Sequence, residues 1–201
     1  DGYAGRSIAE AYTDVRNGVG TVSAGAGTIL AVQNGLDGVT RTIYRSPVIF
    51  DTSALPDGDT ISAATLTITT DAYANADSDG TIVDTFANDS AVSNSSYDIA
   101  NWGGVAQSNS VLHSTLSVGG TSVFTLNATG LGNINKTGTT KFGLRSLNDF
   151  NNTAPTGNPY HFPRSSDYSG TTSDPVMVVT HSAGGGGSPV YRRLALLGVG
   201  N

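Results

Sequence analysis

Thr60-Ile-Ser-Ala-Ala-Thr-Leu-Thr-Ile-Thr-Thr70 is the stretch that decides the fold. From Ala64 it alternates: Ala64, Leu66 and Ile68 share one side, and Thr65, Thr67 and Thr69 share the other. A period of two, rich in β-branched residues, is the pattern of a strand with one buried and one solvated face. Outward from it the same pattern recurs at Thr28–Val32, Val39–Phe50, Thr81–Phe86, Val111–Ser117, Ser122–Asn127, Thr140–Ser146 and Pro175–His181. In Val39–Phe50 apolar and polar residues do not separate cleanly, so the inward side changes along the run, with a bulge expected near Pro47. Between the runs lie turn pairs: Asn17-Gly18, Asn34-Gly35, Asp37-Gly38, Asp57-Gly58, Asp79-Gly80, Gly103-Gly104, Gly119-Gly120 and Ser169-Gly170. Many short strands with such punctuation predict a sandwich or barrel. A short helical turn is expected only at Tyr97–Trp102. The predicted core includes Phe50, Ala64, Leu66, Ile68, Phe142, Leu144, Val176 and Val178.

Composition agrees. Glu10 is the only glutamate, and Lys136 and Lys141 the only lysines, so there is little material for solvated helix faces. The hydrophobic fraction of 37% with only 13% charged residues separates the chain from disordered sequences. A net charge of −6 repels phosphate backbones, and Arg192-Arg193 is the only adjacent basic pair, which argues against nucleic-acid partners. Without cysteine, disulfides and thiolate metal sites are excluded. No apolar run approaches the ~20 residues of a membrane span. A chain opening at Asp1 is expected to be a mature or trimmed form.

The segment Ser46-Pro-Val-Ile-Phe-Asp-Thr-Ser-Ala-Leu-Pro-Asp-Gly-Asp-Thr-Ile-Ser-Ala-Ala-Thr-Leu-Thr-Ile68 resembles the F-D-x-S-x-L-P-x-G-x-x-I-x-x-A-x-L hallmark of DNRLRE-type, carbohydrate-binding-module-like β-sandwich domains. The likeness extends loosely to Trp102 and to Tyr168–Val179, although the DNRLRE tract itself is missing. It implies a jelly-roll-like, all-β sandwich of the kind found in secreted bacterial surface proteins, polysaccharide-active enzymes and phage-like structural proteins. Fold alone does not assign a function.

Motifs for catalysis are missing. His113, His161 and His181 show no HxH or HExxH spacing, no G-x-S-x-G elbow occurs, and several aspartates sit before glycine, where turns want them. No enzyme is expected. Calcium, the one cofactor suggested, would use Asn75-Ala-Asp77-Ser-Asp79-Gly80, which nearly matches an EF-type loop start. Phe86 replaces the bidentate glutamate, leaving Asp84 as a substitute. The plain reading of that loop is an Asx-rich hairpin. Carbohydrate stacking would fall to Trp102, Tyr97 and Tyr73, although a lone tryptophan is more often a core anchor. Five sequons (Asn88, Asn94, Asn127, Asn135, Asn151) are taken as chance matches in a Ser/Thr/Asn-rich chain.

The chain thus divides into a sandwich at 1–181, a Gly-rich linker at 182–188 and a C-terminal arm at 189–201. Pro189, Val190, Tyr191, Leu194, Leu196, Leu197 and Val199 make the arm apolar. It reads either as a strand or as a short helix capped by Ser188. The linker could span about 25 Å, so docking on its own domain or on a neighbour is open. The expectation is a non-catalytic structural subunit of an extracellular filament, fibre or virion surface, assembling as a homo-oligomer or polymer through the arm. The alternative is a carbohydrate-binding module with a polysaccharide partner.

Overall fold

The computed structural model describes residues 2–18, 23–25, 27–87, 92–184 and 187–197. Val199 of the arm and the sequon at Asn88 lie outside the described residues. In chain order the elements are β1 (Tyr3–Ile8), α1 (Tyr12–Arg16), β2 (Ser23–Gly25), β3 (Val32–Asp37), β4 (Thr40–Asp51), β5 (Thr60–Ala74), β6 (Gly80–Thr85), β7 (Val111–Leu112), β8 (Thr121–Thr125), α2 (Ala128–Gly132), β9 (Thr139–Ser146), α3 (Leu147–Phe150), β10 (Tyr160–Pro163), β11 (Val176–Ser182) and β12 (Val190–Ala195). All strand pairs are antiparallel, and the chain is an all-β, sandwich-like fold. Among the described residues no helix is long and apolar enough to cross a membrane.

Two long strands organise it. The first half of β5 pairs with β11 and β8, and β11 carries β12, giving a layer β12-β11-β5-β8. The second half of β4 pairs with β9, followed by β6 and β7, giving the opposing layer. The remaining halves of β4 and β5 extend into a third region, β1-β4-β3-β10-β5. Between the first two layers, Leu66, Ile68, Phe124, Met177 and Val179 meet Val48, Phe50, Val83, Phe142 and Leu144 in one core.

The predicted core holds except at Val176 and Val178, which are half-buried on the outer face, while Met177 and Val179 are buried. Val176-Met-Val-Val179 is apolar at both parities, so alternation cannot set its phase. The register Met177↔Leu66 sets it. Thr69, expected to face solvent, is 7% exposed. Three local expectations change as well. The strand expected at 28–32 instead begins at Val32 and runs through Asn34-Gly35, with the turn at Asp37-Gly38, where Gly38 has a φ of 59°. Asn34 is held in the strand because its side chain is buried and donates to the Thr153 carbonyl at 3.1 Å. The strand expected at 111–117 stops at Leu112, where buried His113 opens a 3-10 turn. No register shift occurs at Pro47. β4 changes partners there, so residues 45–50 are buried on both sides.

The arm is a strand. β12 pairs with β11 in the register His181↔Val190 through Val176↔Ala195. Beyond it, Leu196 bridges to Phe50, and Leu197 donates its N–H to the Ile49 carbonyl at 2.9 Å, so the chain end crosses to the opposite layer. Leu194 and Leu196 enter the core, whereas Pro189, Val190, Tyr191 and Leu197 stay exposed. Within the single chain the arm therefore docks on its own domain. The reason lies in the tether: its two ends are opposite one another in the ladder, which holds the arm at a local concentration on the order of millimolar. Leu194→Ala and Leu196→Ala should each lower unfolding free energy by about 2–5 kcal/mol. Urea titration checks this, and near-wild-type midpoints would show that the arm does not belong to the core.

Candidate functional site

The face of β4-β9-β6 turned away from the main core is not apolar. It carries Arg45, Arg145 and Asp84, all at most 1% exposed, and is covered by α1, α3 and residues 92–104. Asp149, placed by the Ser146 cap of α3, accepts from both arginines. Arg45 Nε and Nη2 reach its two oxygens at 2.8 Å each, and Arg145 Nε reaches Oδ2 at 2.9 Å. Arg145 Nη1 continues to Asp84 Oδ2 at 2.8 Å. Arg16 flanks Asp149 at 3.3 Å. Burial opposes the Asp149 charge, but Arg45 and Arg145 outweigh it and hold this carboxyl well below the usual range.

The expected sugar-stacking residues belong to this layer. Tyr97 is fully buried, its ring under the Arg45 guanidinium at 4.7 Å and its hydroxyl bonded to the Val15 carbonyl. Trp102, 6% exposed, donates Nε1–H to the Ser96 carbonyl at 3.0 Å and lies over Gly143, where a Cβ would come within 2.2 Å of the ring. Neither can meet a sugar. Burial satisfied both polar tips, as it commonly does for core Tyr and Trp. Tyr73 pairs with His161 in the register of β5 and β10 and is half-buried.

The carboxylates of the suggested calcium loop are likewise occupied by protein donors. Asp79 accepts from Ser146 Oγ, Gly80 N and Asn148 N, and burial raises its carboxyl above the ordinary value. Asp77 accepts from Thr156 and from Asn148 Nδ2, Asp84 belongs to Arg145, and Asn75 is exposed. Asp77 and Asp79 thus meet at Asn148, and Asp84 points elsewhere. Among the described residues no three acidic or histidine side chains gather as a metal site.

The histidines are buried singly or in pairs. Thr81 Oγ1 links His113 Nε2 (3.2 Å) and His161 Nδ1 (3.0 Å), and His161 Nε2 reaches Thr70 Oγ1 at 3.0 Å. Desolvation, with His113 as neighbour, pushes His161 down to about 3, and desolvation pushes His113 down to about 4. His181 Nδ1 meets Asp59 at 2.7 Å, but its buried Nε2 has no hydroxyl partner, so this pair lacks a nucleophile.

A site that sequence reasoning missed lies on the outer face of β1-β4-β3-β10-β5. One cross-strand row reads Gly5–Tyr44–Gln33–Tyr160–Ala74. On and beside it are four partly exposed rings in series: Tyr3–Tyr44 with centroids 5.1 Å apart, Tyr44–Phe162 at 6.4 Å and Phe162–Tyr160, stacked, at 4.6 Å. Two glycines let side chains lie flat on the sheet. A Cβ at Gly5 would sit 1.8 Å from the Tyr44 ring, and one at Gly35 would sit 1.9 Å from Asn158 Oδ1. Polar groups border the rings: Gln33 Nε2 donates to Asn158 at 2.7 Å, and Ser7 and Thr42 hydroxyls meet at 2.8 Å. At the far end a bulge leaves Asp71 without a ladder partner, and its carboxylate pairs with Arg164 at 3.2 Å, whose guanidinium covers Tyr168 at 4.2 Å. Tyr160-His-Phe162 does alternate aromatic-polar-aromatic, which was the available signal. Its flanking prolines and short length hid the strand.

Compared with known proteins, the chain matches no family model, and no curated protein is recognisably similar to it.

Two outcomes test the buried layer. Asp149→Ala leaves two buried guanidiniums without their shared anion and should cost about 3–5 kcal/mol in chemical denaturation. The histidines set an acid dependence. Below their ordinary value of 6.5 the unfolded chain binds protons that the folded chain refuses, so stability present at pH 7 is lost as pH falls from 6.5 toward 4. The slope should approach 1.4 kcal/mol per pH unit for each histidine, while Asp79, raised by burial, acts in the opposite sense. His161→Gln should flatten the curve measured between pH 7 and 4.5.

Proposed function

We propose that this chain is a non-catalytic module of an extracellular, cell-surface or virion-surface protein, and that it binds neutral polysaccharide on the β1-β4-β3-β10-β5 face. The single observation that carries this is the row of four partly exposed rings, Tyr3, Tyr44, Phe162 and Tyr160, laid across adjacent strands. Aromatic rings offer large, rigid apolar area at low entropic cost, and the C–H faces of pyranose rings complement it. The Asn158 side chain, held from beneath by buried Gln33, and the hydroxyls of Ser7 and Thr42 border the rings and are the polar partners offered to sugar hydroxyls. Arg164, which flanks the row, is neutralised by Asp71, and the chain's charge of −6 repels uronates, which favours a neutral chain. The resemblance of residues 46–68 to carbohydrate-binding-module-like domains supports the same reading. The non-catalytic reading is supported by buried Asp79, Asp84 and Asp149, whose carboxylates are each bonded to protein donors.

Affinity electrophoresis against mannan, dextran and mixed-linkage β-glucan, with alginate as the acidic comparison, tests this. The wild type should be retarded by at least one neutral polymer and not by alginate. Tyr44→Ala and Phe162→Ala should each weaken retardation about tenfold, which corresponds to about 1.4 kcal/mol, at unchanged thermal stability. Gly5→Val, which displaces the Tyr44 ring, should act alike. Retardation that survives all three variants, or none in the wild type, refutes the proposal.

A further inference from the structure

The outer side of β8-β5-β11-β12 is a second open face, and a cavity of about 330 Å³ lies at the end of its last two strands. Thr171, Asp174, Val176, Arg193 and Ala195 line it. Val176 and Ala195 are cross-strand partners and make an apolar floor. Asp174 lies two residues before Val176, and Arg193 lies two residues before Ala195 on the antiparallel strand. The two charges therefore flank the floor from opposite ends. Because the arm supplies Arg193 and Ala195, the cavity is complete only with β12 docked. Asp174 is fixed from both sides: Ser173 Oγ accepts from Arg164 Nη1 at 3.0 Å, and the Pro175 carbonyl accepts from the Leu196 N–H at 3.3 Å. Its carboxylate nevertheless receives nothing. Oδ1 is buried without a donor, and among the described residues Asp174 forms no ion pair. Exposed Arg193 forms none either, although both side chains line one cavity. We infer that this cavity binds a small zwitterion of the free α-amino acid class, its ammonium at Asp174, its carboxylate at Arg193 and an aliphatic side chain on Val176 and Ala195.

Charge selects that class. A carboxylate with one oxygen buried and no donor is unfavourable, and a ligand ammonium supplies the strongest donor available to it. A simple amine would also bring its charge beside the Arg193 guanidinium, and a simple acid would bring its charge beside Asp174. Each gains one attraction and meets one repulsion. A neutral polyol can form hydrogen bonds here but leaves both protein charges without a counter-charge. Only a ligand carrying both signs, a few atoms apart, compensates both ends at once. Size agrees: about 330 Å³ stands at the lower end of ligand pockets, room for a single amino acid rather than a polymer. The site is separate from the aromatic row of β1-β4-β3-β10-β5 and does not depend on the polysaccharide reading.

Amide NMR titration of the full chain reads the effect residue by residue, with four probes: L-valine, isobutylamine, isovalerate and glucose. L-valine should shift the amides of Thr171, Asp174, Val176, Arg193 and Ala195 saturably, with a Kd on the order of 1 mM, a range open to so small a ligand. Isobutylamine and isovalerate each keep the aliphatic body and one charge, and should bind at least about tenfold more weakly. Glucose should leave these amides unmoved. Asp174→Asn and Arg193→Gln should each weaken L-valine about tenfold or more. Neither side chain belongs to the core, so both variants should keep the wild-type spectrum elsewhere. Tyr44→Ala should bind L-valine like the wild type, which separates this site from the polysaccharide face. The inference is overturned by a wild type that shows no saturable shift with L-valine up to about 50 mM, well above the expected Kd. Single-charge probes or glucose binding as tightly as L-valine, or charge-removing variants that bind it unchanged, would overturn it equally.

Discussion

Asp149 carries more of this structure than its four-residue helix suggests. It neutralises Arg45 from β4 and Arg145 from β9, and Arg145 in turn holds Asp84 of β6. Three neighbouring strands are thus tied on the side away from the apolar core. Buried charge is costly unless every donor and acceptor is used. Here the guanidiniums also donate to the carbonyls of Arg16, Tyr97 and Asp149 and lie against the rings of Tyr97, Trp102 and Phe150. That requirement dictates what covers the layer: α1, α3 and the 92–104 segment stand where those donors need acceptors.

With one side of β4 committed to this polar layer and the other to the apolar core, β4 cannot present a solvent face over residues 45–50. Its exposed aromatic, Tyr44, falls just before that region, where β4 leaves β9 and takes β1 and β3 as neighbours. The aromatic row has room there because Gly5 and Gly35 carry no side chains where the Tyr44 ring and Asn158 lie over the sheet. The second open face has a different origin. Val-Met-Val-Val in β11 can bury only one of its two parities, and the other is left on the surface.

Much of the fold was legible in residues 60–70, in the turn pairs and in the scarcity of Glu and Lys. These are local properties: strand alternation and turn geometry are set within a few residues. The candidate sites were less legible. Trp102 and Tyr97 look like binding residues in a sequence because aromatics near loops often are. Their burial depends on Gly143 and Arg45, which lie about forty and fifty positions away. Asp77, Asp79 and Asp84 look like ligands because their spacing is right, and spacing carries no information about Asn148 or Arg145.

The sequence by itself determined the class of structure, the apolar sides of the strongest strands, the absence of cysteine chemistry and the apolar character of the C-terminal arm, which it left open between strand and helix. Tertiary structure alone decided the phase of β11, the docking of the arm between the two layers and the meeting of Tyr3, Tyr44, Phe162 and Tyr160 on one face. The physical reason is the same in each case. Alternation says that a strand has two sides, but which side is inside, and which distant residues share it, is set by register with strands tens of residues away, and register is a property of the assembled sheet.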